Sequence, residues 1–322
     1  MSNEDGVFHA GERSLHEKLD ISERLHELGL RMIRDHMPDQ HREFFASLSS
    51  VHIGALDSSG HPWAIMRIGW PGFMESADDK TLSISSSPLI DEPADLNLSV
   101  GAKVSVVGIE FETQRRNRLN ATIDAVEGDT LSLHVDQSYG NCPKYIQIRT
   151  RTSAEPVQSN SPETTTSLSE VDKAQITRAD TLLIASRAAQ LGDDPRAGVD
   201  INHRGGMPGF VSVLDDKTIQ FPDYKGNNFY NTFGNIVTDN RVGLQFVDFE
   251  TGTLLNLKGS AALIEDINNG ELPLMGRGLR ISIDTITRAE GGLSYRYKLE
   301  QYSDRNPATK VGNADLAKQP TY

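Results

Sequence analysis

Apolar and polar residues alternate along much of this chain in short runs, each closed by a turn signal. That is the pattern of half-buried strands rather than of long helices. In the first half it predicts strands over Val51–Leu56, Trp63–Ile68, Thr81–Ser85, Val104–Phe111, Arg118–Glu127 and Thr130–Asp136, with turns such as Asp57-Ser58-Ser59-Gly60 between them. In the second half it predicts strands over Thr181–Ser186, Gly209–Leu214, Thr218–Phe221, Val242–Phe249 and Leu254–Ile264. Many short strands joined by tight turns imply a mainly β (α+β) chain built as barrels or sandwiches, not a parallel sheet. Ahead of them the period changes. Asp20 and Glu23 have capping-box spacing, Leu25, Leu28 and Met32 share one helical face, and a second helix is expected after Pro38 with Phe44 and Phe45 turned inward.

The strand pattern repeats. Trp70-Pro71-Gly72-Phe73-Met74 recurs as Met207-Pro208-Gly209-Phe210-Val211, and Asp78-Asp79-Lys80-Thr81-Leu82 as Asp215-Asp216-Lys217-Thr218-Ile219, both at an offset of 137. Glu110-Phe111-Glu112-Thr113 recurs as Asp248-Phe249-Glu250-Thr251 at an offset of 138, and Ile53-Gly54-Ala55 matches Ile184-Ala185-Ser186. Four matches in one order identify a tandem duplication. The expected organisation is a helical extension over 1–45, a first copy over 46–151, a linker over 152–170 rich in Ser, Thr, Glu and Pro, a second copy over 171–302 and a polar tail over 303–322.

A net charge of -13 and a pI near 5.1 argue against nucleic acid as the main partner, since such a surface repels phosphate backbones. The acidic start of the chain lacks a signal-peptide pattern, and no run has the length of a membrane span; with a single cysteine, this leads to the expectation of a cytoplasmic protein. The nine histidines form no His-Glu-x-x-His, one cysteine cannot build a thiolate site, and no Gly-x-Ser-x-Gly elbow occurs, so no metal site or hydrolase is expected.

The stretch from Phe221 to Asn240 is dense in side-chain donors: Tyr224, Lys225, Asn227, Asn228, Asn231 and Thr232. It then turns helical, with Phe229, Phe233 and Ile236 on one side. Polar side chains beside the free amides of a helix start suit a phosphate; an asparagine-rich turn before a small amphipathic helix is the plainer reading. The matching stretch of the first copy carries Asp91, Glu92 and Asp95 and no base, which disfavours an anion there. Gln114-Arg115-Arg116-Asn117-Arg118 is the one dense basic cluster, either a solvated strand end or an anion-facing group. Gln137 to Ile146, with Cys142, Pro143, Lys144 and Tyr145, is expected to form a short helix, its cysteine serving packing rather than catalysis.

Taken in order, Asp200-Ile-Asn-His203-Arg204-Gly-Gly-Met-Pro-Gly-Phe210-Val211, Phe221-Pro-Asp223-Tyr-Lys-Gly-Asn227, Asn231-Thr-Phe-Gly-Asn and Phe246-Val-Asp-Phe-Glu250 resemble the flavin-nucleotide-binding proteins of the pyridoxamine 5′-phosphate oxidase superfamily. The resemblance covers about Ala179 to Ala262 and, more weakly, the first copy. It implies two split β-barrels packed as an intrachain pseudo-dimer with flavin mononucleotide (FMN) in the groove between them. Gly209, Phe210, Val211 and Ser212 would lie along the isoalloxazine ring, and Lys225, Asn228, Asn231 and Thr232 would hold the phosphate, with Asp223, Tyr224 and Asn227 beside them. The oxidase itself carries arginine and lysine near the positions of Asn231 and Thr232, so its own activity is not implied. Single-barrel relatives carry an Asn-Cys-Pro-Lys-Tyr-Ile motif after the flavin segment; here it stands at Asn141–Ile146 of the first copy, which suggests one composite site. Arg115, Arg116 and Lys144 are expected to reach the ligand from that copy. His203, Arg204, Arg116 and Tyr145 are the candidates facing substrate. The leading reading is an FMN-dependent oxidoreductase acting with a small-molecule substrate or electron donor. The alternatives are a flavin carrier without a catalytic step and a haem or tetrapyrrole binder. Dimerisation of the whole chain is left open.

Overall fold

A computed structural model describes residues 6–153, 161–265 and 277–307. Helices α1 (Ala10–Lys18), α2 (Ser22–Met32) and α3 (Asp39–Ser47) come first. Strands β1 (Ser50–Leu56), β2 (Pro62–Ile68), β3 (Met74–Glu75), β4 (Thr81–Ser85), β5 (Lys103–Glu110), β6 (Arg115–Glu127), β7 (Thr130–Gly140), β8 (Ile148–Ser153) and β9 (Glu163–Thr165) follow. The second half holds α4 (Glu170–Arg178), β10 (Thr181–Arg187), β11 (Val199–Gly205), β12 (Ser212–Asp215), β13 (Thr218–Pro222), α5 (Asn231–Ile236), β14 (Arg241–Val247), β15 (Leu254–Glu265), β16 (Arg277–Ala289) and β17 (Tyr295–Gln301).

The duplication is explicit in the topology. The strand paths β2-β1-β5-β6-β7-β4-β3 and β11-β10-β14-β15-β16-β13-β12 are the same, member for member, and every pairing is antiparallel. Each sheet curls around its own core, with Ile53, Ile65, Met74, Leu82 and Leu133 in the first and Ile184, Phe221, Leu244, Leu257 and Ile281 in the second. In the first copy β2 and β3 share a core without hydrogen-bonding each other, so the barrel is split at that seam. No helix among the described residues is long and apolar enough to cross a membrane.

The copies pack on each other within the chain. Ala64, Met66, Val107, Ile109 and Phe111 form one buried cluster with Leu183, Ala185, Ile201, Phe249 and Leu254, where each fully buried large side chain contributes about 1.5–3 kcal/mol. Phe111 and Phe249 occupy matching positions and touch edge to face at 5.3 Å, and β8 pairs with its counterpart β17. Contacts between equivalent elements mark a pseudo-twofold axis. Gly243 permits the approach: a β-carbon there would lie 2.3 Å from the Pro62 carbonyl oxygen.

Several local expectations are revised. The expected helix over 137–146 is replaced by β7 running to Gly140, because Gly140 and Tyr139 pair with Asn117 and Arg118 of β6. Part of the expected linker, 163–165, pairs with β16, and Leu168 is buried in the second core. Helix α2 starts after Ile21, and Asp20 is left-handed (φ 55) rather than its cap. Helix α1, which no sequence signal marked, is capped by a histidine: His9 Nδ1 accepts the Gly11 N–H, and Glu12 Oε2 accepts the His9 N–H. It docks on the second copy, with Gly11 so close that a β-carbon would fall 2.0 Å from the Gly234 carbonyl oxygen. Of the expected tail, Ser303 is buried and its N–H reaches Gln147, while 308–322 lies outside the described residues.

Candidate functional site

The relevant cavity lies on the seam between the copies and opens to solvent. The second copy supplies Asn202, His203 and Arg204 from β11, the loop after β13, and Asn231 and Thr232 from α5; the first supplies Arg116 from β6 and the stretch Asn141–Tyr145. Gly205 makes the seam close, because a β-carbon there would sit 2.0 Å from the Tyr145 carbonyl oxygen. Tyr145, Asn228 and Tyr230, all lining residues, have positive φ (67, 63 and 61). Such non-glycine conformations cost about 1–3 kcal/mol each and persist where surrounding structure holds them.

Two arginines of β6 organise this wall. Arg116 donates to His203 Nδ1 at 3.0 Å and to the Cys142 carbonyl at 2.7 Å. Burial lowers its pKa to about 10, which leaves it charged at neutral pH. Burial, reinforced by Arg116, holds His203 well below its ordinary value, so the imidazole is neutral. Arg118 donates to Asn202 Oδ1 at 2.7 Å and pairs with Asp200, whose other oxygen accepts from Asn235 at 2.6 Å. Arg204 pairs with Asp223 at 3.1 Å and lies over the Phe233 ring. The Tyr145 hydroxyl donates to the Lys225 carbonyl at 3.1 Å, its ring packs against Tyr224, and burial pushes both phenols up.

Five buried polar atoms on the lining side chains have no partner among the described residues: Arg116 Nε, Asn202 Nδ2, His203 Nε2, Arg204 Nε and Thr232 Oγ1. A buried donor without a partner costs about 1–3 kcal/mol, and native structures keep few of them. All five belong to side chains that line this one cavity.

Of the residues singled out from sequence, Arg116, Lys144, Tyr145, His203, Arg204, Phe210, Asp223, Tyr224, Asn227, Asn228, Asn231 and Thr232 line this cavity. Gly209, Val211, Ser212, Lys225 and Arg115 do not. The strand passing the cavity is β11; Gly209 sits in a turn (φ 84) and Val211 in the second core, so 209–212 does not run along it. Lys225 is exposed and offers the cavity wall only its carbonyl. Arg115 turns back to the Gln40 carbonyl at 2.9 Å and stacks on Phe44. Asn202, Asn141 and Cys142 line the cavity as well. For Asn202 the available signal was the alternation of Asp200, Asn202 and Arg204, which places three polar groups on one strand face. Sequence reasoning also missed Glu12, whose carboxyl accepts from Asn231 and is pushed up to about 8 by burial. Asn231 is thereby tied to the fold: its Oδ1 also faces Arg118 and the Tyr139 hydroxyl.

The pseudo-equivalent place on the other side of the axis is closed. The strand registers put Ile65 and Met66 where the second copy has Asn202 and His203, and Leu254 and Asn256 where the first has Arg116 and Arg118. Asp91, from the loop that corresponds to 223–240, is buried there and accepts from Asn256 at 2.7 Å and Gln245 at 3.1 Å; Glu92 pairs with Arg67 at 2.6 Å.

No family model and no curated protein matches the chain. Among solved structures, it is similar to a Lactobacillus delbrueckii protein provisionally assigned as a pyridoxamine 5′-phosphate oxidase (16% identity, TM-score 0.30, covering 38% of this chain and 94% of that one). It is also similar to Group A Streptococcus HupZ (14%, 0.29, 42% and 98%) and to an FAD-binding protein of Mycobacterium smegmatis (15%, 0.27, 39% and 98%). Each likeness spans about the length of one copy, and nothing about the site rests on it.

Proposed function

We propose that this chain binds one FMN in the seam cavity and acts as a flavin-dependent oxidoreductase on a small-molecule partner. The observation that carries this reading is the cluster of five unpartnered buried polar atoms on the side chains of a cavity that also carries several aromatic rings. The aromatic side chains Phe210, Tyr224, Tyr230 and Phe233 suit a flat ring system, and the donors suit its carbonyl edge, ribityl chain and phosphate. Charge agrees: Arg116 and Lys144 are cationic lining groups, while Arg204 is balanced by Asp223 and Glu12 is held towards its neutral form. An acidic chain thus keeps a locally positive cavity for a phosphate. When bound, the flavin supplies the electron transfer. The side chains bind and orient it and exclude water; neutral His203 remains a hydrogen-bond donor at neutral pH, while the Tyr145 hydroxyl, already donating to the Lys225 carbonyl, can accept.

Titration of the purified chain with FMN, followed by quenching of flavin fluorescence, is expected to saturate at one per chain. Thr232→Ala should weaken FMN about tenfold, as removing a donor to an ionised group costs about 1.5–3 kcal/mol, without moving the melting temperature of the ligand-free protein, since Thr232 Oγ1 has no partner among the described residues. A chain that fails to bind FMN but develops a Soret band with haemin would replace the reading.

A further inference from the structure

Arginine has no hydrogen-bond acceptor, so any atom it bonds must itself accept. This fixes two assignments on the cavity wall that coordinates alone leave open. Because Arg116 donates to His203 Nδ1, that nitrogen carries the lone pair and the neutral ring bears its proton on Nε2. Because Arg118 donates to Asn202 Oδ1, the amide NH2 is the free end. On β6 and β11 the unpartnered atoms are then Nε2–H of His203 and Nδ2–H of Asn202, together with Nε–H of Arg116 and Arg204. All four are donors, from four cavity-lining side chains. The carboxylates Asp200 and Asp223 beside this wall are committed elsewhere, Asp200 to Arg118, Asn120 and Asn235 and Asp223 to Arg204, and Glu12 bonds Asn231.

We propose that Arg116 and Arg118 of the first copy impose a donor polarity on β11, so that this wall favours the face or edge of a planar ligand that presents acceptor oxygens and disfavours one that turns only N–H donors or positive charge towards it. The proposal names the ligand class of the proposed flavin site and rests on that placement only for where the ligand lies. Arg116 and Arg118 are positioning residues here: they orient the groups that meet the ligand. Desolvating several donors without acceptors is costly, so a ligand with no acceptor to offer this wall is penalised even where its shape fits.

The polarity can be read without any ligand. Long-range 1H–15N correlation of His203 at pH 7 should show Nε2 protonated and Nδ1 unprotonated, and Arg116→Met should release this into a mixture of tautomers. A wild-type ring protonated on Nδ1 overturns the proposal. Selectivity is tested by thermal shift with two planar probes of the same shape, benzoate (acceptors only, anionic) and benzamidine (donors, cationic). Benzoate is expected to raise the melting temperature and benzamidine to leave it unchanged. Asn202→Asp keeps the shape and the bond to Arg118 but turns the free donor into an acceptor, and it should weaken benzoate and FMN at least tenfold while the ligand-free protein melts as wild type. Should Asn202→Asp fail to fold, Asn202→Ser serves in its place, with at least a threefold loss expected. Stabilisation by benzamidine, no response to benzoate, or unchanged affinities in the variant each overturn the proposal. Benzoate binding without FMN binding would sink the flavin reading and leave the donor wall standing; FMN bound equally by wild type and Asn202→Asp would do the reverse.

Discussion

Arg116 uses both ends of its guanidinium, one on His203 and one on the Cys142 carbonyl, so it ties the two copies and the 141–145 stretch together. Lysine can reach only one of these acceptors. Arg116→Lys should therefore weaken FMN about tenfold although the charge is kept, measured by the same fluorescence titration; wild-type affinity would remove the fork from the site. Titratable groups at this scale also set the pH range of stability. Burial depresses His9, His41 and His52 to about 4 and holds His203 well below its ordinary value, so these rings stay neutral in the fold while the unfolded chain protonates below about 6.5. Their contribution is present above that pH and is lost as pH falls towards 4. Glu12, raised to about 8, has the opposite sign: its contribution is full below about 4.5 and is lost as pH rises through 8. Stability should peak near pH 6.5 and decline to pH 8, and calorimetry of Glu12→Gln should find that alkaline decline reduced, since burial also raises Asp91, Glu92 and Asp223. Most of the cavity's side chains were legible in the sequence, since asparagines, aromatics and arginines crowd two short stretches. Glu12 was not, because a lone acid 219 residues from its partner Asn231 leaves no spacing to read.

Helix α1 shows what element-level reasoning can overlook. Its cap is a histidine, its length is only 9 residues, and its partner α5 lies in the second copy. Propensity and periodicity describe contacts along the chain, and this helix is held by contacts across it. The close approach of Gly11 to Gly234 makes the docking easy to break. Gly11→Ala must push the helices apart, with a loss of about 1–3 kcal/mol by denaturant titration and, through Glu12 and Asn231, weaker FMN binding. An unchanged midpoint would mean that α1 is not seated as described. Strands β1, β2 and β4 were legible nearly to the residue: β4 alternates in burial, and β1 and β2 are short apolar-rich runs, buried along their length and closed by turn residues. Strand β11 was not, because Asn202, His203 and Arg204 line the cavity and Asp200 is buried against Arg118, so polar groups break the apolar signature that marks a buried strand. Ligand-facing elements violate the pattern by which strands are found.

At the scale of the whole molecule, the pairing of β8 with β17 and the Phe111–Phe249 contact make the two halves one folded unit. The repeated motifs made the duplication legible. That only one of the two seams stays open depends on which residues face each other, and this needed the registers. Asp91 tests it: Asp91→Ala removes the acceptor from Asn256 and Gln245, so it should lower stability by about 1–3 kcal/mol while isothermal titration still counts one FMN per chain. A count of two would mean that the loop alone blocks a second competent site. The closed seam has a further consequence. In a symmetric homodimer each substitution appears in both sites at once, so the two walls of a groove cannot be tuned separately. Here position 66 is methionine while its counterpart 203 is histidine, and position 254 is leucine while its counterpart 116 is arginine. Each wall answers to its own codon, and a monomer with the one proposed site would have no second site with which to communicate. Its saturation curve should therefore be a plain hyperbola with a Hill coefficient of about 1, whatever the ligand.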